Sequence, residues 1–251
     1  MFIDSEDIKR VIPEVIKIRR HIHMYPEISE HEYETSKYIK KCLEEIGLEA
    51  NFIGDTGVVS MLMNNPEFQT VGLRAEMDAL PIEEETNLEF KSKNKGVMHA
   101  CSHDGIVATA LGVTKLLYEH KDELKCNVKF IFEPAEEVGR GAKKLIKEKV
   151  LENPTVDKMV IFHYANSAPI GMEIQKGVST ATLGRVSIEI IGKSSHWGEP
   201  EKGINAISVA AKVIDAIDKI NEDLKEKIQF VLGMGIINGG VKNNIMAENV
   251  K

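Results

Sequence analysis

Val128-Lys129-Phe130-Ile131-Phe132-Glu133-Pro134-Ala135-Glu136-Glu137 is an apolar run that halts at a proline and delivers two adjacent carboxylates. Residues 128–132 read as a buried strand, and Phe132 and Pro134 hold the acidic pair at its end. Similar short, β-branched runs occupy 58–62, 71–73 and 159–162, while 106–118 and 142–150 have helical periodicity. Strands alternating with helices predict an α/β fold, a mostly parallel sheet with helices on both faces.

Outward from this core, residues 8–22 and 31–46 carry apolar side chains at three- and four-residue spacing, with Pro26 between them and Gly47 after the second. They predict two amphipathic helices that open the chain. After Gly177 and Gly184 the pattern changes to strand (186–191), a polar turn with His196 and Pro200, helix (204–220) and strand (228–237). Residues 1–180 are therefore expected to form one domain and 181–251 a smaller α+β domain. In the latter, Ile207, Ala210, Ile214 and Ile217 form the packing stripe of the helix.

The 251 residues carry 39 acidic and 32 basic side chains, a net charge of −7. Without a basic patch or an apolar run of spanning length, nucleic acid and membrane are excluded as partners; a small molecule or a second copy of the chain is expected. Three cysteines, Cys42, Cys101 and Cys126, are too few for a disulfide framework, and the acidic N-terminus lacks a signal-peptide pattern. The expected location is the cytoplasm.

Asp78, the Glu136-Glu137 pair and His163 lie just past the ends of apolar strands, where open α/β sheets bind ligands. Cys101 and His103, in Met98-His99-Ala100-Cys101-Ser102-His103-Asp104, stand at the entrance to the next helix, whose free amides are expected to favour a thiolate. Taken singly, each motif has a bland reading. Cysteine is usually a buried apolar residue, an acidic pair is usually a solvated turn, and a histidine after four apolar residues is usually a core side chain. His21, His31 and His120 are read as exposed loop residues, the default also for His196. In conjunction, a thiolate, imidazoles and carboxylates suit a cation such as zinc, with one glutamate as ligand and its neighbour as base. That pattern points to metal-assisted hydrolysis.

With these motifs in order, the chain resembles the M20 metallopeptidases, in particular their amidohydrolase branch, which acts on N-acyl amino acids. Arg19-Arg20-His21-Ile22-His23-Met24-Tyr25-Pro26-Glu27 resembles that family's opening motif, and Gly72-Leu73-Arg74-Ala75-Glu76-Met77-Asp78-Ala79-Leu80-Pro81 its first active-site loop. Gly192-Lys193-Ser194-Ser195-His196 and the stretch from Gly239-Gly240 to Asn244 resemble motifs of its lid domain. The resemblance implies two divalent metal ions (zinc, manganese, nickel or cobalt) on Cys101, His103, Glu137 and His163, with the thiolate bridging. It implies Glu136 as general base, His196 at the scissile carbonyl, Asp78 as the carboxylate orienting the ligands and Asn244 as a substrate-binding side chain; Arg140 is a further candidate for substrate binding. It further implies an N-acyl amino acid or dipeptide substrate and a homodimer formed through the lid. Glu76, Arg140, Trp197, Glu201 and Asn205 depart from the branch's usual residues. A return segment carrying one more histidine ligand is implied beyond Lys251, so a competing expectation is a non-catalytic remnant that binds metal or dimerises.

Overall fold

Asp4 starts the first helix by accepting hydrogen bonds from the amides of Glu6 (2.8 Å) and Asp7 (3.0 Å), the donors a helix cannot satisfy internally. The computed structural model describes residues 3–165, 171–174, 177, 184–228 and 230–251. Two compact units divide the chain, Met1–Ala168 and Pro169–Lys251. The first contains α1 (Ser5–Met24), α2 (Tyr33–Ile46), β1 (Ala50–Ile53), β2 (Gly57–Leu62), β3 (Thr70–Glu76), α3 (His103–Glu119), β4 (Asn127–Glu133), α4 (Gly141–Lys147) and β5 (Lys158–Ile161).

These strands form one sheet in the order β1-β2-β4-β3-β5. β3 lies parallel to β4 and to β5, whereas β2 is antiparallel to both its neighbours. Four strands therefore run in one direction and β2 alone opposes them, which bears out a mostly parallel sheet. Every residue of β4 is buried, so its sequence shows no alternation. Val128, Phe130 and Phe132 join Val58, Leu73 and Ala75 in the main core with Ile22, Ile39 and Ile106 of the three long helices. Ile131, on the other face, packs with Leu145 and Val150 around α4. Helices thus cover both faces. β1 escaped the sequence reading because two of its four residues, Asn51 and Phe52, are exposed. Among the described residues no helix is long and apolar enough to cross a membrane.

Two histidines expected in exposed loops lie elsewhere. His21 sits within α1, its ring stacked 4.1 Å from that of Tyr38, and His120 caps α3 within 3.2 Å of Asp7 and of Glu123. Side-chain periodicity does not separate a polar helix position from a loop.

The second unit contains β6 (Ile190–Ile191), α5 (Ala206–Leu224) and β7 (Asn249–Val250). Asn205 caps α5 by accepting from the Ile207 amide (3.0 Å). β6 and β7 pair antiparallel, and Ala206, Ala210 and Val250 form the small core, with Ile190 against it. The strand expected over 186–191 contracts to Ile190–Ile191. None forms over 228–237 among the described residues, position 229 lying outside them. Val231 and Ile236 are 97% and 82% exposed, and an apolar run becomes a strand only where another backbone receives its hydrogen bonds. Of the expected packing stripe, Ala210 is buried, whereas Ile207 is 49% exposed and the unforeseen Ala206 makes the close approach in its place.

Lys129 is the unexpected residue of the central strand. Its ammonium is buried and donates to the carbonyls of Val150 (3.0 Å), Glu152 (2.8 Å) and Pro154 (3.1 Å), so all three protons are used. Burial lowers its pKa. Lys129→Met keeps the stem but orphans three carbonyls, and we expect a loss of roughly 3 kcal/mol or more, at about 1–3 kcal/mol per stranded polar group. Urea denaturation measures it; a midpoint equal to wild type refutes the role.

Candidate metal centre

The parallel strands end together. After β3 the Met77 amide donates to the Glu133 carbonyl (3.0 Å), which keeps the two exit loops side by side. Asp78 leaves β3, Glu136 and Glu137 leave β4, His163 leaves β5, and Cys101 and His103 arrive with the first turn of α3. Two tight approaches shape these loops. A Cβ on Gly141 would lie 1.7 Å from the Pro134 carbonyl oxygen, and one on Gly105 would lie 2.8 Å from the ring of Tyr164. With that ring against α3, the Tyr164 hydroxyl meets Thr109 Oγ1 (2.8 Å), and His163 Nδ1 lies 2.8 Å from the Tyr164 carbonyl oxygen. His163 Nε2 is left toward Cys101.

Donor atoms of Cys101, His103 and His163 lie within 4.8 Å of one another, and so do those of His103, Glu136 and Glu137. The two groups share His103. Cys101 Sγ is 3.5 Å from His163 Nε2, and His103 Nε2 is 3.9 Å from Glu136 Oε2 and from Glu137 Oε1. His103 Nδ1 donates to the Asp78 carbonyl (2.9 Å), with Asp78 Oδ1 at 3.3 Å, which fixes the tautomer whose lone pair is on Nε2. Asp78 Oδ2 in turn accepts from Ser29 Oγ (2.6 Å) and the Glu137 amide (3.0 Å). Burial works against the Asp78 carboxylate, yet the hydrogen bonds from His103, Ser29 and Glu137 leave its pKa below the usual value.

These residues fit a divalent cation. His103 Nε2 and Glu137 Oε1 are buried without a hydrogen-bond partner, and a stranded polar atom costs about 1–3 kcal/mol unless something satisfies it. Sulfur, imidazole and carboxylate together make a borderline-soft donor set.

The expectation of a ready thiolate is corrected. Burial, with Glu137 and Glu136 beside it, pushes the Cys101 thiol up to about 11. The αL residue Ser102 intervenes before the helix, and nearby carboxylates outweigh the helix amides. Glu136, half-exposed, is raised by burial and by the neighbouring Glu137 and Glu76 carboxylates.

Other charged and buried polar residues around the cluster were given no role in it from sequence. Glu76 is buried beside Arg74, whose Nε also donates to Glu133 Oε2 (2.5 Å) across the sheet. Their signal was visible in principle, as opposite charges two residues apart share a strand face. His99 is buried with neither ring nitrogen partnered, and desolvation lowers it to about 4, so it is neutral at pH 7. Beneath the site, His23 Nδ1 meets Asp104 Oδ2 (2.9 Å) and Nε2 meets Glu84 Oε1 (3.3 Å), while Arg19 Nε donates to Asp104 (3.1 Å).

Three expected site residues lie outside this cluster's donor groups. Arg140 pairs with Glu30 (2.9 Å), both exposed. In the second unit, His196 Nδ1 accepts from the Gly198 amide (3.0 Å), and the Asn244 side-chain amide is 3.5 Å from His196 Nε2. The two lid residues picked from sequence thus meet each other.

Residues 72–247 match the family model described as peptidase family M20/M25/M40. The chain is 38% identical over 240 residues to an N-acetyl-L-cysteine deacetylase of Bacillus subtilis, covering 94% of this chain and 57% of that one. It is 39% identical over 253 residues to thermostable carboxypeptidase 1 of Saccharolobus solfataricus, covering 98% and 64%. Among solved structures it is similar to the Bacillus subtilis YXEP protein, a dinuclear metal-binding peptidase from the M20 family, with a TM-score of 0.71 and 31% identity over 96% of this chain and 63% of that one. The chain therefore spans about three fifths of the length of these proteins.

His23 gives the centre's underside a pH signature. Its hydrogen bond to Asp104, aided by Glu84, raises its pKa above 6.5. The stabilisation from protonated His23 is complete below pH 6.5 and fades as pH rises through the folded-state value. We expect the stability gap between wild type and His23→Gln to be widest near the acid end of that window and to shrink with rising pH in thermal melts. A gap independent of pH contradicts the assignment.

Proposed function

The chain belongs to peptidase family M20/M25/M40, and we propose that its donor cluster holds a pair of divalent cations and hydrolyses the amide bond of N-acyl amino acids or small peptides. The observation that carries this reading is the pair of buried, unsatisfied atoms, His103 Nε2 and Glu137 Oε1, at the mouth of the parallel strands. Cys101, His103, Glu137 and His163 would hold the metal; zinc, manganese, nickel and cobalt all suit such donors. When bound, the cations supply charge that acidifies water and polarises a carbonyl.

The rest is the work of side chains. Glu136, whose pKa burial has raised toward the working range, accepts the proton of the attacking water and returns it to the departing amine. Asp78 holds His103 and the Glu137 amide in place. His196 and the Asn244 amide offer hydrogen bonds to substrate oxygens, the former to the developing oxyanion. Arg140 can exchange Glu30 for a substrate carboxylate. The deacetylase relative supports N-acyl amino acids and the carboxypeptidase relative supports peptides. A reducing interior, the cytoplasm, suits the free thiol of Cys101.

Cys101→Ser and His163→Ala should each lower bound metal after dialysis, read by elemental analysis. Glu136→Gln should keep metal while turnover of N-acetyl amino acids falls roughly 100- to 10,000-fold. Metal loss in Glu136→Gln with unchanged activity per remaining ion would exchange the roles of the two glutamates.

We also propose that the second unit mediates a homodimer, since Ile191 at its ribbon and Ile207 and Ile220 on α5 are exposed. Light scattering should give twice the chain mass, reduced by Ile191→Lys; a monomer at every concentration refutes it.

A further inference from the structure

Glu32 stands in the turn before α2, far in sequence from the donor cluster, yet it is completely buried. Its Oε1 accepts from the amides of Ala135 (2.7 Å) and Glu30 (3.0 Å), and its Oε2 from the Thr56 hydroxyl (2.6 Å). Ser36 Oγ lies within hydrogen-bond distance of the carbonyls of both Glu32 and Thr56, which share its one proton. Amides and a hydroxyl, with no cation among the described partners, surround this carboxyl group; burial raises its pKa, and each of those bonds works against that rise.

Ala135 is the residue that needs holding. Its φ of +52° lies in the left-handed region that side chains avoid, and such a conformation persists only where its surroundings fix it. Its amide is gripped by Glu32, and its carbonyl accepts from the amides of Arg140 (3.1 Å) and Gly141 (3.2 Å). The next two residues are Glu136 and Glu137, and the Glu137 amide is held by Asp78 (3.0 Å). The acidic pair is therefore clamped from both sides by buried carboxylates, Glu32 upstream and Asp78 downstream.

We infer that Glu32 is a positioning residue of the centre, setting the backbone turn that aims Glu136 and Glu137 at His103. This rests on the reading of the cluster as a metal centre. Without the clamp, Ala135 relaxes from its left-handed conformation and both carboxylates swing with it.

The test uses the whole chain as wild type, Glu32→Ala, Glu32→Gln and Glu27→Ala. Glu27 lies in the same turn, but its carboxylate bonds only Glu34 and Thr35, at the start of α2, among the described residues. It controls for simple loss of stability. Two quantities are read: amide hydrogen exchange of the 134–140 segment without metal, and cobalt(II) binding with its absorption spectrum.

Glu32→Ala should speed exchange at 135–137 about tenfold or more and weaken cobalt about 10- to 100-fold with an altered spectrum. Glu32→Gln retains one acceptor oxygen and should recover both to within about threefold. Glu27→Ala should change neither. Protection at 135–137 that is unchanged in Glu32→Ala, or lost equally in Glu27→Ala, overturns the inference. If the alanine variant does not fold, Glu32→Asp, a methylene too short to reach both Ala135 and Thr56, takes its place with the same expectations. Wild type that binds no cobalt defeats the metal reading itself, and the exchange data then decide the positioning role alone.

Discussion

A carboxylate removed from water has to be met by protein donors, and Asp78 is the point at which that requirement organises the site. It is buried, and a hydroxyl from the turn after α1, an amide from the loop after β4 and the imidazole at the start of α3 all converge on it. Three segments separated by up to about a hundred residues are held to one residue at a strand end. The donor groups around His103 exist because those segments cannot separate without stranding a charge.

The same economy explains which polar groups lie inside. Lys129 spends its three protons on carbonyls of the chain leaving α4, and Arg74 lies between Glu76 and Glu133 on neighbouring strands. Among the described residues, the buried side-chain atoms without partners are at the ends of β3 and β4, on His99 and in the first turn of α3. An interior otherwise well matched, with unsatisfied nitrogen and oxygen gathered at one edge, is what a binding centre requires.

The strands β2 to β5 and the helices were legible because the core alternates with turns: 128–132 could be little else, and Gly47 marked the end of α2. The residues that come together were legible because Glu136, Glu137 and His163 follow strands and Cys101 and His103 open a helix. Pairing was not. Nothing in Val186 or Val231 says whether another backbone will lie beside it, and both proved exposed. The state of Cys101 also escaped, because burial raises it first and the carboxylates that add to this come from a loop some thirty-five residues away. Glu32 escaped for the same reason, since its partner Ala135 is more than a hundred positions on.

The order β1-β2-β4-β3-β5 has a temporal consequence. β1 and β2 are neighbours in sequence and can zip as a hairpin, but β2 and β3 never pair; β4 enters between them, after the whole of α3. Closing that gap means forming long loops, a slow and entropically costly part of assembly. Until it closes, Glu136 and Glu137 have no strand to carry them and His103 Nε2 has neither of them to face. During synthesis, then, the acidic pair joins His103 only when the central strand seats itself between two partners made long before, and His163 follows with β5.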